Sequence, residues 1–147
     1  MSLDEHKAII RAHVAVLFNQ QRIDRAEEFF TPDYLDHAPL PGQAPGLAGA
    51  KHKWTTYLAA VPDMHATIDD VVAEGDKVAV RWTVQGTQRG ELLGIPPTSR
   101  PVRFSGISLY RLAKGKIAEQ WEQWDRLNLL QQLGVLPAPP APATATG

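Results

Sequence analysis

The residues best placed for chemistry close the run GKIAEQWEQWD, where Asp125 follows Trp121 and Trp124. A carboxylate held against an indole in a cleft loses water. That loss favours its neutral form and moves its pKa towards working pH. Such a group can take a proton from a carbon beside a carbonyl and deliver one to the carbonyl oxygen. Asp125 is therefore the candidate proton carrier. A second role competes for it, because Asp ahead of Leu127, Leu129 and Leu130 is a common helix N-cap, and the two roles can coexist. His37, in DYLDHAP, is the second catalytic candidate. Its ring can hydrogen-bond a carbonyl oxygen as charge develops there, or it can pin its own loop to a backbone carbonyl.

Other chemistries find little support. The histidines are His6, His13, His37, His52 and His65, with no HxH or HxxxH pair among them. His6 and His13 share a helix face but stand two turns apart, about 10 Å, too far to chelate one ion. GxSxG is missing, cysteine is absent, and GTQRGELLG contains neither GK[ST] nor GxGxxG. These gaps argue against a nucleophilic serine or thiol, a metal and a nucleotide cofactor. What remains is cofactor-free acid/base work in an apolar cavity. The net charge of −1 comes from interspersed acids and bases, so no basic face is expected to bind nucleic acid. The opening MSLDEHKAII lacks a signal-peptide pattern and no window has the length of a membrane span. With no cysteine, this composition predicts a cytoplasmic protein without nucleic-acid or membrane partners.

The elements that must position these groups are α first and β afterwards. At 147 residues and 44% apolar, the chain is long enough for one core with a pocket inside it. Ser2 and Glu5 form a capping box that opens a helix to about Phe18, with Ile10, Val14, Leu17 and Phe18 as its stripe. A second helix is expected from Asp24, carrying Phe29 and Phe30 and stopped at Thr31-Pro32. DYLDHAPLPGQAPG reads as a loop, and a third helix runs from Leu47 to Ala60. The period then becomes two: strands at 68–74 and 77–87, a long connection at 86–100, and two strands joined by Ala113-Lys114-Gly115-Lys116. A short helix follows at 127–133. Residues 1–136 make one domain, and the Pro/Ala-rich tail 137–147 is expected to be mobile.

Strand parity sorts the candidates. Phe104, Ser108 and Tyr110 share one face of the first hairpin strand. Glu119, Trp121 and Asp125 share one face of the second, provided no bulge intervenes. Trp54, Trp82, Phe104, Ser108, Tyr110 and Trp121 are the expected lining of the cavity and would contact a small hydrophobic ligand. Ordinary core packing is the competing account for each aromatic. The face carrying Gln120, Glu122 and Trp124 would then meet a second subunit, since a bare Trp124 would be an unusual patch.

The segments EGDKVAVRWTVQGT and GELLGIPPTSRPVRFSGISLYRLAKGKIAEQWEQWDRLNLLQQLGVLP, with DYLDHAPLPG and VPDMHATIDDVVAEGD upstream, resemble the SnoaL-like polyketide cyclases, or ester cyclases, of the nuclear transport factor 2-like superfamily. GIPPT and ExWxxxD are the most specific parts. The resemblance implies an α+β cone: a strongly curved antiparallel sheet packed on three N-terminal helices around a deep hydrophobic pocket. It also implies a homodimer or homotetramer formed through the outer sheet face. The activity it implies is intramolecular aldol cyclisation of an aromatic or polycyclic ketone, without metal or cofactor. Asp125 stands at the aspartate that ends ExWxxxD, and His37 matches a polar residue of the DHxPxPG loop. Gln88 stands where such sequences often have histidine, and Ser99 where they often have glycine. A non-catalytic small-molecule binder and a hydrolase or isomerase are the alternatives on this fold. Epoxide hydrolases of the superfamily use Asp–Arg–Asp, for which Arg81 and Arg111 are the arginines to examine.

Overall fold

The computed structural model describes residues 1–138 and 140, so the tail falls largely outside the described residues. Helix α1 (Leu3–His13) starts at the expected capping box, with the Ser2 hydroxyl accepting from the Glu5 amide at 3.0 Å. The winding then widens into a π-helical stretch, Val14–Asn19, which carries the same apolar stripe onward to Leu17. Instead of a second α-helix there is a short 3-10 segment, Ile23–Glu28. Phe30 leaves it to open strand β1 (Phe30–Asp36). Helix α2 spans Gly46–Ala60. Strands β2 (His65–Glu74), β3 (Lys77–Thr87), β4 (Pro101–Ala113) and β5 (Lys116–Trp124) follow, and α3 (Arg126–Gln132) closes the fold.

The sheet order is β1-β5-β4-β3-β2. Four strands form the expected antiparallel meander, but β1 adds a fifth, parallel to β5. The sheet is therefore mixed, and DYLD is strand rather than loop. Local composition misleads here because the strand's partner lies some ninety residues along the chain. Backbone bonds to β5 (Ile117 N–H to Phe29 O, 2.7 Å; His37 N–H to Gln120 O, 3.0 Å) satisfy the segment. Burial of Phe30 and Tyr34 then outweighs the loop tendency of Pro32 and Asp33.

Helix α1 packs on β2 and β3, α2 on β1, and α3 on β4. Between helices and sheet lie two apolar clusters. One gathers Ile10, Leu17, Phe30, Tyr34, Trp54 and Val80, and the other Val61, Leu92, Ile95, Val102 and Leu129. The cavity draws its walls from both.

Candidate functional site

The site depends on how the β4–β5 hairpin counts its residues. Lys114 and Gly115 both adopt positive φ, 53° and 78°, the twist a two-residue hairpin turn requires. That turn pairs Ala113 with Lys116 and Leu112 with Ile117. Continued evenly, it would set Glu119 opposite Tyr110 and Trp121 opposite Ser108, the parity expected from the sequence. The register shifts instead. Arg111 pairs with Glu119, Tyr110 with Gln120, Ser108 with Glu122 and Gly106 with Trp124. Ala118 is the extra residue, and Ile117 and Ala118 are buried in succession where strict alternation would bury one. A bulge of one residue exchanges every side chain beyond it between the two faces.

The consequence for the candidates is direct. Gln120, Glu122 and Trp124 line the cavity, so they are not available to a second subunit as expected. Trp121 lies on the outer face, its ring stacked on His37 at 4.7 Å and 5°. His37 donates from Nε2 to Glu119 at 2.7 Å, and Arg111 donates to the same carboxylate at 2.8 Å. Arg111, then His37, hold the Glu119 carboxyl below the usual glutamate range. His37 thus pins its segment to β5 through Glu119, outside the cavity. Asp125 is exposed and accepts from the Asn128 amide at 3.0 Å. Of its two competing roles, the cap is the one its geometry fills, and no part of the cavity wall comes from it. Arg81 reaches Asp69, 3.8 Å away, and neither Arg81 nor Arg111 lines the cavity.

Trp54, Trp82, Phe104 and Tyr110 do line it. About 120 Å³ of the space is open to the centre of a water molecule. Gly106 makes part of the wall possible. A Cβ there would stand 2.6 Å from both the Trp82 ring and the Trp124 Cβ, so glycine leaves room for the two tryptophans on either side of β4. Ser108 is fully buried behind this surface and works through hydrogen bonds rather than contact with the space. It donates to Glu122 Oε1 at 3.0 Å while accepting from the Trp82 indole N–H at 3.0 Å. Gln120 adds a longer bond to Glu122 Oε1 at 3.3 Å, and the Tyr34 hydroxyl orients Gln120 at 2.7 Å.

Glu122 is the cavity-lining carboxyl that sequence parity hid. Burial pushes its carboxyl above the ordinary glutamate range, and the charge of Lys53 and the bond from Ser108 only partly offset that push. Two further polar groups share the wall. His13 is fully buried, with Nδ1 2.6 Å from the Ile10 carbonyl. A carbonyl can only accept, so Nδ1 carries the hydrogen. Burial lowers the pKa of this ring to about 4, leaving it neutral at pH 7. Its place on the Ile10–Leu17 stripe was the sequence signal. Lys53 pairs with Asp36 at 2.5 Å, both side chains buried.

Gln88 is likewise buried, its amide serving the Ile95 and Pro96 carbonyls and accepting from Thr98. It braces the 88–100 connection that brings Leu92 into the wall. Ser99 sits at φ 57°, which explains why a glycine suits that position. Among the described residues, no group of three or more His, Asp or Glu side chains could hold a metal ion, and no helix is long and apolar enough to cross a membrane.

Comparison with known proteins adds an independent line. The family model for SnoaL-like polyketide cyclase matches residues 7–133. The nogalonic acid methyl ester cyclase of Streptomyces nogalater is 33% identical over 106 residues, covering 69% of this chain and 78% of the relative. The structure of TsrD from Streptomyces laurentii superposes with a TM-score of 0.85 at 29% identity, covering 92% of this chain and 99% of that one. IdmH from Streptomyces antibioticus gives 0.75 at 34% identity, covering 88% and 98%. Helices followed by a five-stranded mixed sheet are thus the nuclear transport factor 2-like fold.

Proposed function

Because the chain belongs to the SnoaL-like polyketide cyclase family, we propose that it is an acid/base enzyme in which Glu122, and not Asp125, moves the proton. Its ligand is a hydrophobic carbonyl compound, of aromatic or polycyclic type, seated among Trp54, Trp82, Phe104 and Tyr110. One observation carries the reading: a carboxyl faces a cavity walled mainly by apolar and aromatic side chains, with its pKa raised by burial. A carboxyl shifted in that direction is better suited to both taking and returning a proton.

The chemistry follows from the hydrogen bonds. Ser108 and Gln120 both donate to Oε1 of Glu122, which leaves Oε2 to carry the proton. As carboxylate, Glu122 removes a proton from a carbon flanked by carbonyls. The electrons of that C–H bond form the new C–C bond at a second carbonyl carbon of the same molecule. The oxygen of that second carbonyl then takes the proton back from Oε2, and Glu122 ends as it began. The aromatic walls exclude water that would otherwise level the pKa and quench the enolate. The cyclase from Streptomyces nogalater acts, by its name, on an ester of nogalonic acid, which supports the same ligand class here.

Ring closure of nogalonic acid methyl ester, or of another polycyclic ketone the protein accepts, tests the assignment. Glu122→Gln should lower kcat by roughly 10²–10⁴-fold, while Asp125→Asn should leave it within about threefold, since a cap acts on stability. Turnover by Glu122→Gln within about tenfold of the parent would remove Glu122 from the role.

A further inference from the structure

The cavity wall holds a second charged group that proton transfer by Glu122 does not use. Lys53, on α2, lines the cavity and is only 5% exposed. Its ammonium donates to Asp36 Oδ2 at 2.5 Å and to the Ala38 carbonyl at 3.1 Å. An ammonium has three N–H donors, and among the described residues no acceptor takes the third. Asp36 is held on its side by two further bonds, accepting also from the Ala38 amide at 2.8 Å and from Gln43 at 3.1 Å. Burial alone would raise the Asp36 carboxyl, but the bonds from Lys53 and Gln43 overcome it and keep it ionised. The ammonium is thus clamped on one side and free on the other.

A buried ion pair is an expensive way to fill a wall, because apolar residues of the same volume usually serve stability as well or better. Lys53 is also the charge that most opposes the desolvation of Glu122, so the two groups address the same interior. We propose that Nζ of Lys53 donates its third hydrogen to the ligand oxygen on which negative charge accumulates. The cavity then selects ligands bearing an enolised or ionised 1,3-dicarbonyl. The inference rests on the cavity being the site of the acid/base step assigned to Glu122. A donor already fixed by Asp36 and Ala38 needs no reorganisation when the enolate forms, and in a water-poor space its effect is large.

Binding can be measured without any turnover. Phenylindanedione is ionised at neutral pH as the enolate of a 1,3-diketone, while its C-methylated analogue has nearly the same bulk and cannot enolise. Isothermal titration of the wild-type protein should show the enolate binding at least about tenfold tighter, the scale of a hydrogen bond to a charged group. Lys53→Met should reduce that preference to about threefold or less, and Glu122→Gln should keep it. If Lys53→Met fails to fold because Asp36 is left buried without its partner, the double variant D36N/K53M removes both charges and is read in the same way. No preference in the wild type, or a preference that survives loss of Lys53, overturns the inference. Either result leaves the Glu122 turnover test standing. Conversely, full turnover by Glu122→Gln with a Lys53-dependent preference would fault the proton carrier and not the enolate donor.

Discussion

Glu119 and Glu122 stand three residues apart on one strand and behave as opposites. Glu119 faces outward, bound by Arg111 and His37, and its carboxyl is held low. Glu122 faces inward among aromatic rings, and burial holds its carboxyl high. The tryptophans divide in the same way: Trp121 stacks on His37 outside and Trp124 lines the cavity. Residue type therefore says little about role within this stretch. The side of the sheet decides it, and a single extra residue, Ala118, decides the side.

The largest effect should come from changing the count of residues just beyond it. With the bulge at Ala118 in place, deleting Gln120 just beyond it would move Trp121 and Gln123 inward and expel Glu122 and Trp124, emptying an aromatic wall. A loss of more than about 4 kcal/mol is expected, seen as collapse of the cooperative unfolding transition in denaturant. A deletion variant that stayed folded with its parity intact would break the comparison.

A subtler effect should appear in the pH dependence of stability, where the two glutamates ought to carry opposite signs. The ordinary glutamate value is 4.5. Glu122 is raised above it, so the native state binds its proton more tightly, and stability falls as pH rises from about that value through the raised one. Glu122→Gln should therefore gain on the wild type across that window and gain nothing below it. Glu119 is lowered, so its stabilisation is present above 4.5 and lost as pH falls through its native value. Glu119→Gln should lose stability at neutral pH, with the deficit closing in acid. Denaturant midpoints from pH 3 to pH 8 compare the two directly, and parallel curves would refute the contrast.

The smallest effect belongs to Asp125. As an N-cap accepting from the Asn128 amide, its replacement by Ala should cost about 1 kcal/mol of stability. A thermal melt measures the loss.

Much of the fold was legible because it is written in short-range patterns. The capping box at Ser2 and Glu5, the third helix, the turn at Lys114-Gly115 and the alternation that turns Phe104, Ser108 and Tyr110 inward all follow from neighbouring residues. The second helix was not legible, since Phe30 gains more from pairing with Ile117 than IDRAEEFF gains from continuing a helix. His13 gave only a faint signal, an imidazole on an apolar stripe, which is as consistent with a core histidine as with a solvated one and does not point to a cavity.

By itself the sequence determined the order of helices and strands, the hairpin turn and the supply of aromatic side chains for an interior. Those features depend on backbone preference and side-chain period, which a few adjacent residues set. Only the tertiary structure decided which carboxyl enters the cavity and which lysine accompanies it. β5 is gripped on both sides, by β4 and by the distant β1, and both pairings slip register across Ile117–Glu119. A bulge of that kind relieves a mismatch between three strands, so no one strand's residues can announce it.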